Sequence, residues 1–378
     1  MFANSMTKQL NMFHHEPVLM PQLSLAGKSG DSEMPILQLG MVGFNQRQRQ
    51  QIEGIVGALP QQSAIWQVGN FTNADAWLVC GEKTRPAPNT SSPGHDSLQI
   101  LAGLPAERGM TLNLRQVNRP LAFSTPLNDP DIEALFTFEP ASPQSLQNLL
   151  TNFERCLNQL MLQFVLGKQL IEHEAKLRAT VYHVMYGGKL LAVMDFIAWK
   201  IGLQPDADPR HFQNAVWEKR PIHANAIPGN FLHTDVAKLR WIYARHSARN
   251  VLPARYREGL IYFRQTPKIT LSWLTDSQLQ LIQELTQRPS SLVDLAQRTG
   301  RPREHVSRDL SCLYYACSLT TLASKAAQAS TGKARPGHPG QTDSTPRAPP
   351  RIFNSSMPYD APTPLDDAAT VAAPLRTQ

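Results

Sequence analysis

The chain has 378 residues, 42% of them hydrophobic, with 37 Lys and Arg against 30 Asp and Glu for a net charge of +7. That length exceeds one ordinary domain and that apolar content suffices for a packed core, so a wholly disordered chain is excluded and two or three domains are expected. No run approaches the roughly 18 apolar residues of a membrane span, and Met1 to Gly27 lacks a signal-peptide pattern, which predicts a cytoplasmic protein without a membrane partner.

Residues 1–33 mix His14, His15, Pro17, Pro21, Gly27 and Gly30 without a sustained apolar period, and the last 54 residues hold nine prolines. Both ends, 1–33 and 324–378, are expected to be disordered. Ile36 to Phe44 (ILQLGMVGF) reads as a strand. Asn45 then caps a helix that carries Ile52, Ile55, Val56 and Leu59 on one face. Ala64 to Val68, Ala74 to Cys80, Ser97 to Ala102 and Pro120 to Ser124 are further strands, and the scarcity of hairpin turns between them predicts a small parallel sheet. Lys83 to Gly94 is a Pro/Asn/Ser-rich loop where a helix would otherwise fall, so residues 34–140 read as an abbreviated α/β domain.

Over Pro35 to about Leu127 this succession resembles a response-regulator receiver domain. Phosphorylation in that family needs an acidic pair after the first strand for magnesium, an Asp closing the third strand, and a Lys before a Pro after the fifth. Here the first strand runs into Phe44 and Asn45, the third into Cys80 and Gly81, and Thr125 stands before Pro126 in FSTPL. The resemblance implies a degenerate receiver-like sensor that cannot take up phosphate by the family mechanism and offers a surface to a partner protein instead.

In residues 141–178, Leu146, Leu150, Phe153, Leu157, Leu160, Phe164 and Ile171 recur in four and three residue steps, broken once at Gly167. Ser142 and Pro143 form a sound helix start, so a long coupling helix is predicted, whose heptad seam pairs two chains into a homodimer. Leu149, Met161 and Val165 widen the stripe, and the rival reading is a core helix packed on its own sheet. From Thr180, Gly187 and Gly188 separate two apolar runs as in a hairpin, a third strand (FIAWKIGL) follows, and Asp208 and Thr234 stand where two helices start. Residues 179–270 read as a small α+β module.

Enzyme signatures fail. Gly187, Gly188 and Lys189 are followed by Leu190 rather than the Ser or Thr of a phosphate loop, His173 and Glu174 lack the second His of a zinc-protease helix, and no GxSxG occurs. His211, His223, His233 and Asp235 match no compact metal site, and Cys80, Cys156, Cys312 and Cys317 show no CxxC spacing. No catalytic residue, metal, cofactor or disulfide framework is expected.

Residues 271–323 carry the informative pattern. A helix capped near Thr275 stops before Pro289, SSLVDLAQRTG is a short helix closed by Gly300, and REHVSRDLSCLYYA presents Val306, Leu310, Leu313 and Tyr314 on one side. Two short helices across a Gly-containing turn form a helix-turn-helix. The stretch resembles the winged-helix domains of bacterial transcription regulators, most specifically in DLAQRTGRPREHVSRDLSCLY. The resemblance implies that Arg301, Arg303, Glu304, Ser307 and Arg308 face the major groove, with His305 at the margin. SLTTLASK is short for a two-stranded wing.

The charge distribution supports that reading. Residues 34–140 carry 7 Lys/Arg against 9 Asp/Glu, residues 141–209 carry 6 against 6, and residues 210–323 carry 16 against 8. Between Lys238 and Lys268, eight cations including Arg245, Arg249, Arg255 and Arg257 face one acid, Glu258, and are expected to position a phosphate backbone. The expectation is a DNA-binding transcriptional regulator and no enzyme. The alternative is a scaffold protein of a signalling system, in which the receiver-like and winged-helix domains both dock proteins.

Overall fold

The computed structural model describes residues 22–24, 33–86, 97–100, 110–128 and 134–327; the expected disordered tails otherwise lie outside these residues. The chain forms two compact units, residues 1–248 and 249–378. Among the described residues, no helix is long and apolar enough to cross a membrane.

In the first unit, β1 (Gln22–Ser24) is followed by β2 (Ile36–Val42), α1 (Gln46–Ala58), β3 (Ile65–Gly69), β4 (Ala76–Val79), β5 (Thr84–Pro86), β6 (Ser97–Ile100), β7 (Met110–Asn113), β8 (Leu121–Ser124), β9 (Thr137–Phe138) and α2 (Pro143–Cys156). Strands β3-β2-β4-β8-β9 make a sheet that is parallel throughout. Numbered among themselves these strands run 2-1-3-4-5, the flavodoxin-like order of doubly wound sheets. Strand β2 is nearly continuous apolar sequence because both its faces are covered. Helix α1 begins at Asn45, which accepts the Gln48 N–H at 2.8 Å while the Gln48 side chain accepts the Asn45 N–H at 3.0 Å.

Helices α1 and α2 cover one face, where Ile52, Val56, Leu146, Leu150 and Phe153 pack on Leu37, Leu39 and Leu78. The other face is covered differently. Strands β5, β6 and β7 form an antiparallel sheet whose Leu98, Ile100 and Leu112 pack on Val79 and Phe123. The segment Ser97–Ala102, expected as the fourth parallel strand, therefore supplies β6 to this cover. Leu98 and Ile100 are buried while Gln99 between them is partly exposed, a period of two that suits a strand with one buried face. The fourth parallel strand is β8, and the fifth is β9, which lies beyond the strands read from the sequence.

The same unit continues with α3 (Asn158–Glu172), β10 (Val181–Tyr186), β11 (Lys189–Asp195), β12 (Lys200–Leu203), α4 (Pro209–Gln213), β13 (Val216–Arg220), β14 (Leu232–Asp235) and α5 (Val236–His246). An antiparallel six-stranded sheet, β1-β13-β10-β11-β12-β14, results. Its first strand, Gln22–Ser24, belongs to the stretch expected to be disordered; pairing with β13 supplies the order that its own sequence does not. The hairpin turn is as expected, with Gly187 at φ 55° and Gly188 at φ 76°. Helix α5 is capped by Asp235 rather than Thr234, since the carboxylate accepts the Lys238 N–H at 2.8 Å.

The single helix expected over 142–178 is two. Leu157 breaks it at φ −92°, ψ 11°, and α3 ends at Glu172. Its expected seam is also occupied within the chain: Leu146, Leu150 and Phe153 lie in the α/β core, and Phe164 packs on Tyr243 with ring centroids 5.1 Å apart. The stripe is broad because α3 is buried on almost every side. A Cβ at Gly167 would stand 2.3 Å from the Leu239 carbonyl oxygen, so glycine permits α3 and α5 to touch.

The second unit holds α6 (Ala254–Glu258), β15 (Tyr262–Phe263), α7 (Asp276–Gln287), α8 (Leu292–Thr299), α9 (Arg303–Tyr315) and β16 (Leu319–Thr320). Leu252, Tyr256 and Ile261 share one core with Leu281, Leu285, Leu292, Leu295, Val306, Leu310 and Leu313. Residues 249–270, read as part of the middle module, thus complete the helical unit. Strand β16 pairs with β15, which precedes α7, α8 and α9, so among the described residues no two-stranded wing follows α9.

Candidate nucleic-acid interface

Helices α8 and α9 are joined through Gly300, Arg301 and Pro302. Ser291 and Asp294 form a capping box that starts α8, and Gly300, at φ 64°, ends it in the left-handed conformation. Leu292 and Leu295 of α8 and Val306, Leu310 and Leu313 of α9 point into the core. The outward side of α9 then presents Arg303, Glu304, His305 and Arg308, all exposed, with Arg301 partly exposed in the turn before it. A cationic face on a helix whose other side is locked into a core can make charge-assisted hydrogen bonds to phosphates or fork onto base edges.

Two side chains hold α9 from behind. Asp309 accepts from Gln278 Nε2 of α7 at 3.3 Å. Burial raises its carboxyl pKa, against the bonds from Ser277 and Gln278 and the charges of Arg301 and His305. Ser307 was expected in the groove but is 2% exposed, and its Oγ donates to Asn250 Oδ1 at 3.1 Å. Its position on the helix explains this, because residue 307 follows Val306 and precedes Leu310 and Ser311 on the inner side. The two small hydroxyl residues four apart, Ser307 and Ser311, are the sequence signal that could have placed it there.

Several cations of the basic run before α7 bond within the chain. Arg245 lies on α5 of the first unit, where its Nη2 donates to the Asn73 carbonyl at 2.7 Å and its guanidinium stands 5.3 Å from the Trp241 ring. Arg257 donates through Nε to the Leu252 carbonyl at 2.8 Å, Arg255 lies 5.3 Å from the Tyr256 ring centroid, and Arg249 is partly buried. Arg240 pairs with Glu174 at 3.0 Å. Charge density showed how many cations there are, but not that several would bind this chain's own carbonyls and rings. No family model, curated protein or solved structure matches this chain.

Ligand-like chemistry elsewhere is limited. Doubly wound sheets take ligands at the carboxyl ends of their strands. Here the chain segments that leave β4 and β8 lie close together. Gly81 donates its N–H to Ser124 Oγ at 2.9 Å, and a Cβ at Gly81 would lie 2.1 Å from the Ser124 carbonyl oxygen. Cys80 is buried and burial pushes its thiol pKa up. Thr125 and Pro126 come after the fourth parallel strand, β8, whereas Glu139 and Pro140 come after the fifth, β9.

A cleft of about 840 Å³ opens at the opposite ends of the strands, lined by residues including Glu33, Glu154, Asp208 and Arg210. These carboxylates have partners within the chain: Glu33 accepts from Tyr243 and Ser247, Glu154 from Trp66, and Asp208 from Arg210. Among the described residues no group of three His, Cys, Asp or Glu is arranged to hold a metal, and His211 stacks on Tyr186 at 4.4 Å.

Proposed function

We propose that the chain is a DNA-binding transcriptional regulator. Its second unit engages duplex DNA through the outward face of α9, with Arg301, Arg303 and Arg308 as the contacts. The observation that carries this is the three arginines around an exposed helix start whose opposite face is buried. The α/β layer of the first unit is then a receiver-like sensor without phosphoryl chemistry, and its strand order supports that reading. The test is binding of the full chain to mixed genomic duplex fragments across a salt series. Affinity should fall steeply with salt as condensed counterions are released, and R303A and R308A should each cost about 1–3 kcal/mol on a specific site.

A second reading, protein docking within a signalling scaffold, is favoured by one feature of the same unit. Leu271, Leu279 and Val293 are 55%, 44% and 55% exposed, apolar side chains that a protein partner could cover. Affinity for duplex unchanged in the double arginine variant would leave docking as the better account.

A further inference from the structure

Resting on the reading of α9 as the DNA-contacting helix, we infer that Asn250 is a positioning residue: through its bond to Ser307 the segment leading into the second unit sets the orientation of α9 and its arginines. Asn250 is itself exposed, so it contributes no core packing. Its Oδ1 accepts from Ser307 Oγ at 3.1 Å and from the Leu252 N–H at 3.2 Å, which ties one turn of α9 to the bend of the segment. Tyr315, the last residue of α9, donates its OH to the Val251 carbonyl at 3.3 Å. Arg257 of α6 holds the same segment as well, with Nε 2.8 Å from the Leu252 carbonyl and Nη2 3.4 Å from that of Asn250.

Two consecutive residues, Asn250 and Val251, therefore grip α9 in its first half and at its end. Arg308 follows Ser307 directly, and neighbouring side chains on a helix point roughly 100° apart. A bond that fixes Ser307 on the inner side fixes how far α9 can roll and hence where Arg308 points. The segment begins one residue after Arg249, the first residue of this unit. Displacement of that junction is delivered to α9 without passing through α7 or α8.

The test uses the full chain with N250A, S307A and the double substitution, reading amide hydrogen exchange and affinity for a mixed-sequence duplex. N250A should speed exchange at residues 303–310 while α7 and α8 keep wild-type rates, and should weaken duplex binding about threefold to tenfold, the range for one hydrogen bond. The double variant should be no worse than N250A, because the bond that S307A removes is already lost in N250A. N250D keeps the acceptor oxygen and should restore wild-type exchange. Unchanged exchange in α9, or equal acceleration through α7, α8 and α9, overturns the assignment. A wild-type chain that leaves the duplex unbound sinks the DNA reading alone, and the exchange pattern still decides what Asn250 does.

Discussion

His246 Nδ1 lies 2.9 Å from the Ile36 carbonyl oxygen and 3.7 Å from Asp75 Oδ2, so the last turn of α5 is fastened to the first residue of β2. The ring is 3% exposed. Desolvation lowers its pKa below the ordinary 6.5, with Arg245 acting in the same direction and Asp75 and the Ile36 carbonyl against it. Two layers of the first unit, the parallel sheet and the α3–α5 pair, meet at this neutral imidazole.

Stability of the first unit should consequently depend on pH in a defined sense. Above 6.5 the ring is neutral both folded and unfolded. As pH falls through that value the unfolded chain takes up a proton that the buried ring refuses, so stability declines toward the lowered folded value. Thermal melts from pH 8 to pH 5.5 should show the decline in wild type and a shallower one in H246N, which keeps a donor and cannot titrate. Parallel slopes in the two proteins would exclude His246 as the cause.

Incubating the chain with a small phosphodonor and magnesium should leave its mass unchanged. On the proposed receiver-like reading the acceptor position at the end of β4 would fall at the buried Cys80, and the acidic pair at Phe44 and Asn45. An acyl-phosphate on any residue between 34 and 140 would contradict this.

Phe153 is fully buried beside Trp66 and Phe136, with ring centroids 6.2 Å and 5.7 Å away. Phe153→Ala should cost about 3–5 kcal/mol, and Leu146→Asp should unfold the first unit by burying an unpaired carboxylate. Circular dichroism checks both. A folded monomer from Leu146→Asp would mean that this stripe pairs two chains after all.

Gly300→Ala tests the turn before α9. Nothing lies within 4 Å of the added methyl, so the cost comes from φ 64° alone, about 1–2 kcal/mol. The second unit should melt earlier and the first unchanged; an unaltered melt would show that α8 can end without the left-handed residue.

Those parts of the molecule whose order is local were legible from the sequence. The caps at Asn45, Thr275, Ser291 and Gly300 and the Gly187–Gly188 turn state their geometry in two to four residues. What the sequence concealed was the choice of partner. Ser97–Ile100 has the composition of a parallel strand and pairs antiparallel because β5 and β7 flank it. The Leu146 to Phe164 stripe has coiled-coil spacing and is absorbed by this chain's own sheet and α5. Arg245 and Arg257 count as surface cations until distant carbonyls, Asn73 and Leu252, are seen to receive them. In the candidate site, Arg303 and Arg308 could be placed from helical period alone, whereas the asparagine 57 residues away that receives the inward Ser307 hydroxyl could not.

The pairing of β15 with β16 turns the second unit into a closed circuit. The chain goes into the helices along one strand and comes out along its neighbour, with Tyr262 opposite Thr320. Paired residues lie about 5 Å apart. An element whose two ends adjoin can be lifted out or spliced into a host loop as a cassette. The cut must keep both strands, since Ile261 and Leu319 are buried and a boundary drawn at the helices would lay them bare. The fragment to express alone is therefore about 249–327, which also retains Asn250 and Tyr256.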